Sequence, residues 1–326
     1  MKAITYRSYG APEVLQAADI PKPAPKPDEV LVKVRATSVT AGDYRARSLD
    51  MPPGFALLGR LIFGLFGPRR QVLGTEFAGV VEAVGNKVTR FAPGDRVFAY
   101  PGAAFGGYAE FAVLPETAAI APIPDNLDFD AAAAMSFGGA TALNFLRDKG
   151  NIKPGDLVLI IGASGGVGSA AVQLAKAFGA HVTATASTGK LDMVRALGAD
   201  AVLDHSRQDP AAAADAYDII LDTSGTATYS RYGKALKPGG RLLLVSSNLW
   251  QMIGSLLARK TGGRKAIPGY APESAEELRF LADLAGRGDF KPCIDKRFPL
   301  THAARAHCYY ESPARKGNVV ITIEPA

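Results

Sequence analysis

A glycine-rich turn at residues 162–168 constrains the fold of this chain more than any other part of its sequence. The turn follows the apolar run Leu157–Ile161 and precedes a segment predicted to be helical through Phe178, in the sequence GDLVLIIGASGGVGSAAVQLAK. Glycines at such a strand-to-helix turn let the backbone approach a pyrophosphate and let the helix pack closely on the strand. The N–H groups at the helix N-terminus then favour phosphate. The alternative is that the glycines serve tight packing alone, but strand, turn and helix follow one another in the order that predicts a dinucleotide-binding unit.

The residues after the turn alternate between strand and helix patterns. The predicted strands are His181–Ala186, Ala201–Asp204, 219–222 and 241–246. The predicted helices are 190–197 and 230–236, with an earlier helix at 129–148. Strands that alternate with helices indicate a parallel sheet with helices on both faces. The predicted fold class is therefore α/β, with a Rossmann doubly wound parallel sheet in this part of the chain.

The first third of the chain has a different pattern, which is typical of β structure. Residues 30–36, 80–84 and 96–100 are predicted strands, and the proline-rich residues 21–27 are predicted to be an extended connector. Near the C-terminus a predicted helix at 275–287 is followed by a predicted strand at 319–323, VVITI. We expect this last strand to return to the first domain.

Composition excludes several classes of protein. The chain has 326 residues, 48% of them hydrophobic, and 37 basic against 31 acidic residues give a net charge of +6. No block of basic residues resembles a nucleic-acid arm, so we expect no nucleic-acid partner. Two cysteines are too few for a disulfide framework. No signal-like start and no long uncharged apolar run is present, which predicts a cytoplasmic protein without stable membrane insertion.

The glycine-turn segment resembles the quinone oxidoreductase/zeta-crystallin pattern of the zinc-independent medium-chain dehydrogenase/reductase superfamily. The resemblance rests on Gly155-Asp156, Leu159, the turn itself, Gln173 and Lys176. Further segments that match the family are LGTEFAGVVEAVG at 73–85, GDRV at 94–97, GGYAEF at 106–111, LKPGGRL at 236–242 and KGNVV at 316–320. The resemblance implies a GroES-like β-rich catalytic domain at 1–124, completed by 272–326. It also implies a Rossmann NADPH-binding domain at 125–271 and an active site in the cleft between the two.

The end of the second predicted Rossmann strand bears on the choice of cofactor. An NAD-preferring site usually places Asp or Glu there, whereas this strand is followed by Ser187, Thr188, Gly189 and Lys190, with no carboxylate until Asp192. Hydroxyl groups and a lysine favour a 2′-phosphate, which Asp or Glu would repel. The sequence therefore predicts NADPH, against the alternative that Lys190 is only a solvated residue at a helix start.

By the resemblance, further residues are expected to contact the cofactor. Ser187 and Lys190 match the family's 2′-phosphate contacts, and His205 falls where relatives often carry tyrosine. Around the nicotinamide the resemblance implies Thr141, Ser246, Ser247 and Asn318, although each is also a residue type common in caps and turns. The full set of predicted cofactor-binding residues is Thr141, Ala163, Ser164, Gly165, Gly166, Val167, Gly168, Ser187, Lys190, His205, Ser246, Ser247 and Asn318.

The sequence lacks the usual ligands of a catalytic zinc. In zinc-dependent relatives the first cysteine and the histidine would align near Thr40 and Thr75, and threonine is not a plausible zinc ligand. A metal site made of His302, His307 and Cys308 is disfavoured because no further ligand lies near them in sequence. We therefore expect no zinc, which favours hydride delivery to an already electrophilic carbon in a quinone or an α,β-unsaturated carbonyl.

Two residues are the candidates for catalysis. Thr40 and Tyr44 lie in a segment that resembles the family's substrate-facing loop, where they would donate hydrogen bonds to the developing oxyanion. Relatives often carry asparagine at the position of Thr40. Asp43 is expected to orient its loop, Tyr108 is expected to be a packed tyrosine, and solvent is a candidate for the final proton.

Three further expectations remain open at this stage. Residues 52–68 and 250–265 are apolar with basic residues beside them, and we interpret them as the wall or entrance of a pocket for a lipophilic substrate. The alternatives are an ordinary buried helix for the first segment, and a membrane-surface patch for both. A homodimer is expected from the resemblance, with residues 242–245 at its interface. The alternative functions are a metal-free NAD(P)-dependent alcohol or carbonyl oxidoreductase, and an NADPH-binding protein that acts mainly by binding a partner or RNA.

Overall fold

The computed structural model describes residues 1–258 and 263–323, with the side chains of 256–258 excepted. Its strands are β1 (Lys2–Thr5), β2 (Gln16–Asp19), β3 (Glu29–Val39), β4 (Phe77–Val84), β5 (Arg96–Ala99), β6 (Phe111–Pro115), β7 (Ile120–Pro122), β8 (Leu157–Ile161), β9 (His181–Ala186), β10 (Ala201–Asp204), β11 (Tyr217–Asp222), β12 (Leu236–Leu244), β13 (Lys265–Pro268), β14 (Ile294–Pro299) and β15 (Asn318–Thr322). Its α-helices are α1 (Ala41–Ser48), α2 (Ala56–Phe63), α3 (Phe129–Leu143), α4 (Gly166–Ala177), α5 (Leu191–Ala196), α6 (Tyr229–Tyr232), α7 (Leu249–Ala258), α8 (Ala275–Gly286) and α9 (Ala303–Glu311).

These elements form two compact units. Unit 1 contains Met1–Met51, Ala56–Phe137 and the described residues from Glu273 onward. Unit 2 contains Pro52–Phe55 and the described residues between Gly138 and Pro272. The division falls within α3, whereas the predicted domain boundary lies at residues 124 and 125.

Unit 1 is built on a sheet to which both ends of the chain contribute. In the described residues its strand order is β14-β15-β3-β4-β5-β7, with β6 also paired to β3. The C-terminal strand β15 runs antiparallel to β3, with Val319 opposite Val39. The predicted return of the last strand to the first domain is thus confirmed. Alternate residues of β3, such as Val30, Val32 and Val34, are buried in the core of this unit, as the period of a half-buried strand requires.

Unit 2 is a Rossmann-type parallel sheet. Its order within the described residues is β10-β9-β8-β11-β12-β13, and every neighbouring pair is parallel. The order reverses between β8 and β11, and in such sheets ligands bind outside the carboxyl ends of the strands at this reversal. Leu159 and Ile220 lie in the core of the sheet, next to the point of reversal. The predicted fold class, a GroES-like β-rich domain plus a Rossmann doubly wound sheet, is confirmed.

Two predicted helices differ from the structure. The prediction of a helix at 230–236 is wrong in its second half, because α6 ends at Tyr232 and Leu236 already pairs with Tyr217 of β11. Pairing with a neighbouring strand outweighs the local helix pattern there. The predicted helix at 129–148 changes after Leu143 into a π-helical turn at Asn144–Lys149, in which the Gly150 N–H donates to the carbonyl of Phe145, five residues earlier.

Both apolar segments have exposed side chains; of the first segment, residues 52–55 belong to unit 2 and residues 56–68 to unit 1. The interpretation of residues 52–68 as an ordinary buried helix is wrong, because Leu57, Leu58, Leu61 and Ile62 of α2 are all exposed. In α7, Trp250 is largely exposed. Of the basic residues predicted beside it, Arg259 and Lys260 lie outside the described residues. No helix in the described chain is long and apolar enough to span a bilayer.

Candidate functional sites in the two units

The glycine turn has the close geometry that the sequence predicts. Gly162 follows β8 with φ of +81°, a conformation that L side chains rarely adopt. A Cβ atom at Gly168 would lie 2.2 Å from the carbonyl oxygen of Gly162, so only glycine lets α4 start this close to the strand. At Gly165, by contrast, the nearest atom to such a Cβ lies 3.7 Å away. The space over Gly165 is therefore open to a ligand.

The start of α4 supplies the groups that phosphate prefers. The N-cap of α4 is Gly165, so the N–H groups of Gly166, Val167 and Gly168 occupy the first turn, where no intrahelical acceptor exists. These donors and the positive end of the helix dipole attract a pyrophosphate. Ala163 and Ser164 complete the turn, and the Ala163 N–H donates to the carbonyl of Thr185 at 3.1 Å. The turn is therefore held by the end of β9.

Thr141 lies on the same face of α3 as a glycine that contacts this turn. A Cβ at Gly138 would lie 2.9 Å from the carbonyl oxygen of Gly166. Residues three apart share a face of a helix, so Thr141, which is buried, is one turn further along that face. The structure thus brings Thr141 close to the glycine turn.

The candidate 2′-phosphate residues follow β9 at the carboxyl edge of the sheet. Ser187 precedes a short 3₁₀ turn at Thr188–Lys190, and the Lys190 N–H donates to the carbonyl of Ser187 at 2.9 Å. The N–H of His205, which is exposed, donates to the carbonyl of Ala186 at 3.2 Å, so His205 also lies at the end of β9. The structure therefore brings Ser187, Lys190 and His205 together.

An acid that the sequence pattern did not indicate lies beside these residues. Asp204 closes β10 and accepts hydrogen bonds from the Thr188 hydroxyl, the Ser206 N–H at 3.0 Å and the Ser206 hydroxyl at 2.6 Å. The hydrogen bonds of Ser206 and Thr188 lower the pKa of Asp204 to about 2. The position of Asp204 beside Thr188 follows from the register of β10 with β9, in which Asp204 is opposite Ala186. The sequence alone does not show this register. Because internal donors occupy both of its oxygens, Asp204 shapes the turn.

A second acid that the sequence pattern did not indicate orders the loop after β11. Asp222 is buried, and its carboxylate accepts from the backbone of Ser224, Gly225 and Ala227. This loop lies against the residues that follow β12, since a Cβ at Gly225 would lie 3.1 Å from the carbonyl oxygen of Ser246. Ser246 and Ser247 are half-buried beside this loop, at the carboxyl edge of the same sheet as the glycine turn.

In unit 1, Thr40 and Asp43 form the N-terminal cap of α1, and Thr75 joins them. The Thr40 N–H and hydroxyl donate to Oδ2 of Asp43 at 3.0 and 2.7 Å, and the Asp43 N–H donates back to Oγ1 of Thr40. Oδ1 of Asp43 accepts from the N–H groups of Gly74 and Thr75 at 2.8 and 3.1 Å. The hydroxyls of Thr40 and Thr75 are 2.7 Å apart. Asp43 therefore orients its loop.

This cluster does not fit a zinc ion. Thr40 and Thr75 supply neutral hydroxyls where thiolate and imidazole would be needed, and internal donors already occupy the carboxylate of Asp43. Across residues 1–258 and 263–323, no group of three or more His, Cys, Asp or Glu side chains is arranged to hold a metal ion.

Tyr44 and Glu76 flank the cluster in different environments. The hydroxyl of Tyr44, which is partly exposed, donates to Oδ2 of Asp50 at 2.5 Å, and this bond raises the pKa of Tyr44.

Glu76 is fully buried. It accepts hydrogen bonds from the Ser38 hydroxyl and the Phe137 N–H, and burial raises its pKa to about 8.

Comparison with known proteins places both units in one family. A family model described as an alcohol dehydrogenase GroES-like domain matches residues 26–125, and one described as a zinc-binding dehydrogenase matches 197–321. The chain is 33% identical to the quinone oxidoreductase of Pseudomonas aeruginosa, an alignment that covers 98% of this chain and 99% of that protein. The chain belongs to the quinone oxidoreductase branch of the medium-chain dehydrogenase/reductase superfamily.

The chain is also similar to a second oxidoreductase and to a solved dehydrogenase structure. It is 31% identical to the chloroplastic NADPH-dependent alkenal/one oxidoreductase of Arabidopsis thaliana, over 98% of this chain and 79% of that protein. A crystal structure described as an NAD-dependent alcohol dehydrogenase superposes with a TM-score of 0.86 at 31% identity, over 99% of this chain and all of that one. Membership in this family implies that the oxidoreductase binds a nicotinamide cofactor.

The C-terminal histidines of this oxidoreductase do not form a metal site. His307 is fully buried, where its Nδ1 accepts from Nε of Arg47 at 3.2 Å and its Nε2 lies 3.0 Å from the hydroxyl of Tyr108. His302 and Cys308 are exposed. Tyr108 is also fully buried, so the expectation that it is a packed tyrosine is confirmed.

Asn318 lies in unit 1, at the start of β15. Its Nδ2 donates to the carbonyl of Cys293 at 3.1 Å, and its N–H donates to the same oxygen at 2.7 Å. Asn318 thus joins β15 to the chain before β14. Its contact with the nicotinamide stays a prediction, as does the catalytic role of Thr40 and Tyr44.

Proposed function

We propose that this oxidoreductase reduces quinones or α,β-unsaturated carbonyl compounds with NADPH and without zinc. The observation that carries the proposal is the Thr40–Asp43–Thr75 cluster. Its side-chain oxygen atoms are hydrogen-bonded within the cluster, whereas a catalytic metal would need free ligands there. Without a Lewis acid, the favourable substrate is one whose carbon is already electrophilic. The names of the relatives, a quinone oxidoreductase and an alkenal/one oxidoreductase, agree with this substrate class. The match to the zinc-binding dehydrogenase model includes neither Thr40 nor Thr75.

The preference for NADPH is supported by the turn after β9. Ser187 and Lys190 lie there with His205, and the nearest acid in the sheet, Asp204, is held by Thr188 and Ser206. A 2′-phosphate placed at this turn would meet a hydroxyl group and a lysine. The glycine turn would hold the pyrophosphate of the same cofactor, with Thr141, Ser246, Ser247 and Asn318 proposed for the nicotinamide end.

When bound, NADPH supplies the hydride, and the protein's part is to orient the acceptor and stabilise the oxygen that gains charge. Tyr44 is the better placed of the two candidate donors because its hydroxyl is partly exposed. To donate to the substrate, that hydroxyl must break its hydrogen bond to Asp50 and form one to the substrate oxygen. Thr40 is almost fully buried and bonds to Asp43 and Thr75, so we propose that it fixes the start of the helix that carries Tyr44.

Four other expectations remain part of the proposal: the domain boundaries at 124 and 271, a cytoplasmic location, the absence of a nucleic-acid partner and a homodimer. Leu242, Leu243 and Leu244 do not support the dimer, because their side chains are already buried within one subunit and both edges of β12 are paired, with β11 and β13. β13 is the last strand at its edge of the described sheet and remains the candidate for pairing with a second copy. Light scattering on the purified protein would measure the oligomeric state.

The proposed activity is tested by following NADPH oxidation with a naphthoquinone, a 2-alkenal and a simple ketone, with NADH in parallel and EDTA in one set. We expect turnover of the quinone or the alkenal that EDTA leaves unchanged. Turnover restricted to the ketone, or lost with EDTA, would contradict the proposal. NADPH binding without any turnover would instead favour a protein that acts by binding.

The cofactor preference is tested by Lys190→Ala and Ser187→Asp, separately. We expect each to raise the KM for NADPH roughly tenfold or more, because the loss or repulsion acts on the 2′-phosphate. Lys190→Ala is expected to leave the KM for NADH nearly unchanged, and Ser187→Asp to leave it unchanged or lower it, because a carboxylate there can bind the ribose hydroxyls of NADH. Lys153→Ala is the matched control, since Lys153 is exposed and precedes β8 at the opposite edge of the sheet. Equal changes for both cofactors would contradict the assignment.

A second candidate function is favoured by the similarity to the NAD-dependent alcohol dehydrogenase structure. In this case the protein would oxidise alcohols with NAD⁺. Adding a primary and a secondary alcohol with NAD⁺ and NADP⁺ to the same panel distinguishes the two functions.

A further inference from the structure

An apolar surface on unit 1 is not explained by the proposed reduction. It consists of six side chains on α2 and the loop after it, which we call the α2 patch: Leu57, Leu58, Leu61, Ile62, Leu65 and Phe66. Their exposed fractions range from 43% for Leu65 to 104% for Phe66. Soluble monomers rarely expose so many large apolar side chains together, and such patches mark interaction sites.

The exposure follows from how α2 packs. Within α2, Gly59 is buried against Met51, since a Cβ at Gly59 would lie 2.5 Å from Cγ of Met51. Leu57 and Leu61 lie on the opposite side of a helix with 3.6 residues per turn, and Leu58 and Ile62 lie on one flank, where they are also exposed. The loop after α2 folds back, because the Arg69 N–H donates to the carbonyl of Phe63 at 2.8 Å. The helix and the loop therefore present one continuous apolar face.

Arginines surround this face, and no acid interrupts it in the sequence. Arg60, Arg69 and Arg70 are exposed, and residues 51–75 contain no Asp or Glu. Arg7 is also exposed, and its backbone carbonyl lies 3.4 Å from where a Cβ of Gly67 would be. Among the ion pairs of the described chain, none includes any of these four arginines. Their charge is thus available to an anionic partner.

We propose that the α2 patch docks the protein on an anionic lipid surface, with α2 lying in the plane of the bilayer interface. An apolar face with a basic rim is the pattern of helices that bind there, with the apolar side chains among the acyl chains and the arginines among the headgroups. Phe66 projects fully from the loop, and a soft bilayer accommodates such a side chain without a matching pocket.

A second copy of the chain fits the patch less well. A twofold contact places the same surface on both sides, so the arginine rim would face itself. The six side chains, 43% to 104% exposed, present on the order of 600 Å², less than the roughly 800 Å² per partner of a stable protein interface.

The test is co-sedimentation of the full-length protein with vesicles of phosphatidylcholine alone and of phosphatidylcholine mixed equally with phosphatidylglycerol. It requires no substrate or cofactor, so failure of the proposed reductase activity does not affect it. We expect binding to the anionic vesicles, release by high salt, and little binding to the neutral vesicles.

Two variants separate the apolar and basic contributions. Leu61→Gln with Phe66→Gln is expected to weaken binding to anionic vesicles at least tenfold, and Arg69→Gln with Arg70→Gln about tenfold. The matched controls are Tyr270→Gln, an exposed aromatic residue in unit 2, and Arg231→Gln with Arg287→Gln, which remove the same charge from exposed sites elsewhere. Both controls are expected to bind as the unchanged protein does. All the altered side chains are exposed, so circular dichroism is expected to show the same fold.

Three results would overturn the proposal. The first is equal binding to both kinds of vesicle, or none to either. The second is a dimer that becomes monomeric on changing Leu61 and Phe66. The third is unchanged vesicle binding by that variant together with a raised KM for a lipophilic quinone in vesicle-free buffer, which would make the patch part of a substrate pocket.

Discussion

At the scale of single residues, the acids of unit 1 illustrate how burial alters chemistry. Burial raises the pKa of Asp43, although hydrogen bonds to its carboxylate from Thr40, Gly74 and Thr75 oppose that change. Glu76 has only two donors and a pKa of about 8, with Asp43 adding to the rise. Glu76 therefore carries a proton at neutral pH and can hydrogen-bond to Ser38 as a neutral acid.

The raised pKa of Glu76 predicts a pH dependence of stability. An unfolded glutamate has a pKa near 4.5 and the folded one about 8, so between these values the folded state binds more protons. The free energy of unfolding must then fall as pH rises, by at most about 1.4 kcal/mol per pH unit. Glu76→Gln, which imitates the neutral acid, is expected to remove this slope.

Urea unfolding of both proteins at pH values from 5 to 9 measures the difference. His307 contributes an opposite slope below pH 6.5, since burial lowers its pKa to about 3, so the effect of Glu76 is clearest above pH 6.5. Parallel pH curves for the two proteins would show that Glu76 is ionised in the fold.

Gly168 gives a second prediction at the residue scale. Gly168→Ala would place its Cβ 2.2 Å from the Gly162 carbonyl oxygen, and relieving that overlap shifts the turn. We expect roughly 1–3 kcal/mol of destabilisation and a large loss of NADPH affinity, measured by urea unfolding and calorimetric titration. In Gly254→Ala, on α7, the Cβ meets no atom within 4 Å. That control is expected to gain about 0.5–1 kcal/mol and to bind NADPH normally. Normal binding by Gly168→Ala would exclude the proposed role of the turn.

At the scale of elements, a buried arginine connects α1 to α9. The guanidinium of Arg47 is fully buried and donates to Nδ1 of His307 and to Glu311 on α9, and also to the carbonyl of Gly10. Because Nδ1 accepts, the proton of the neutral imidazole is on Nε2, facing the oxygen of Tyr108. The helix that carries Tyr44 is thus held by the C-terminal part of the chain.

This connection predicts a large cost for removing the arginine. Arg47→Met leaves His307 and Glu311 without their donor, and we expect about 3–5 kcal/mol of destabilisation in urea. Arg231→Met breaks an exposed pair with Asp209 and is expected to cost less than about 1 kcal/mol. Similar losses in the two variants would show that the buried network contributes little.

Elements that depend on local pattern were predictable, and those that depend on pairing were not. The predicted bounds of β8, β9 and β10 agree with the observed strands, because the pattern that indicates each strand lies within the strand itself. Three of the six residues of β14, IDKRFP, are charged and stand together in its middle, so its own sequence shows no alternation typical of a strand, and it forms by pairing with β15. The same distinction holds for the sites. The glycine turn is a local motif, whereas the contacts of Asp204 with Thr188 and of Glu76 with Ser38 join residues far apart in sequence.

At the scale of the whole molecule, the cofactor is expected to stabilise the two units unequally. The groups proposed for the pyrophosphate and the 2′-phosphate all lie in unit 2, at the carboxyl edge of its sheet. With NADPH at about 100 times its Kd, mass action adds about 2.7 kcal/mol to the stability of the bound form. We expect hydrogen exchange to slow most in residues 162–169 and 185–190. Slowing greatest in β1 and β2 of unit 1 would contradict this placement.

The position of β15 beside β3 has a consequence for how the chain is made. On the ribosome, all of unit 2 is synthesised before β15, and the roughly 50 residues from Pro272 to the end of β15 take about 3–10 s to synthesise. The nascent Rossmann sheet can close during that interval, while residues 36–39 of β3 still lack the partner that will cover them. An unpaired strand edge invites pairing with other chains. Newborn copies are therefore most vulnerable to aggregation in the seconds before β15 emerges and pairs with β3.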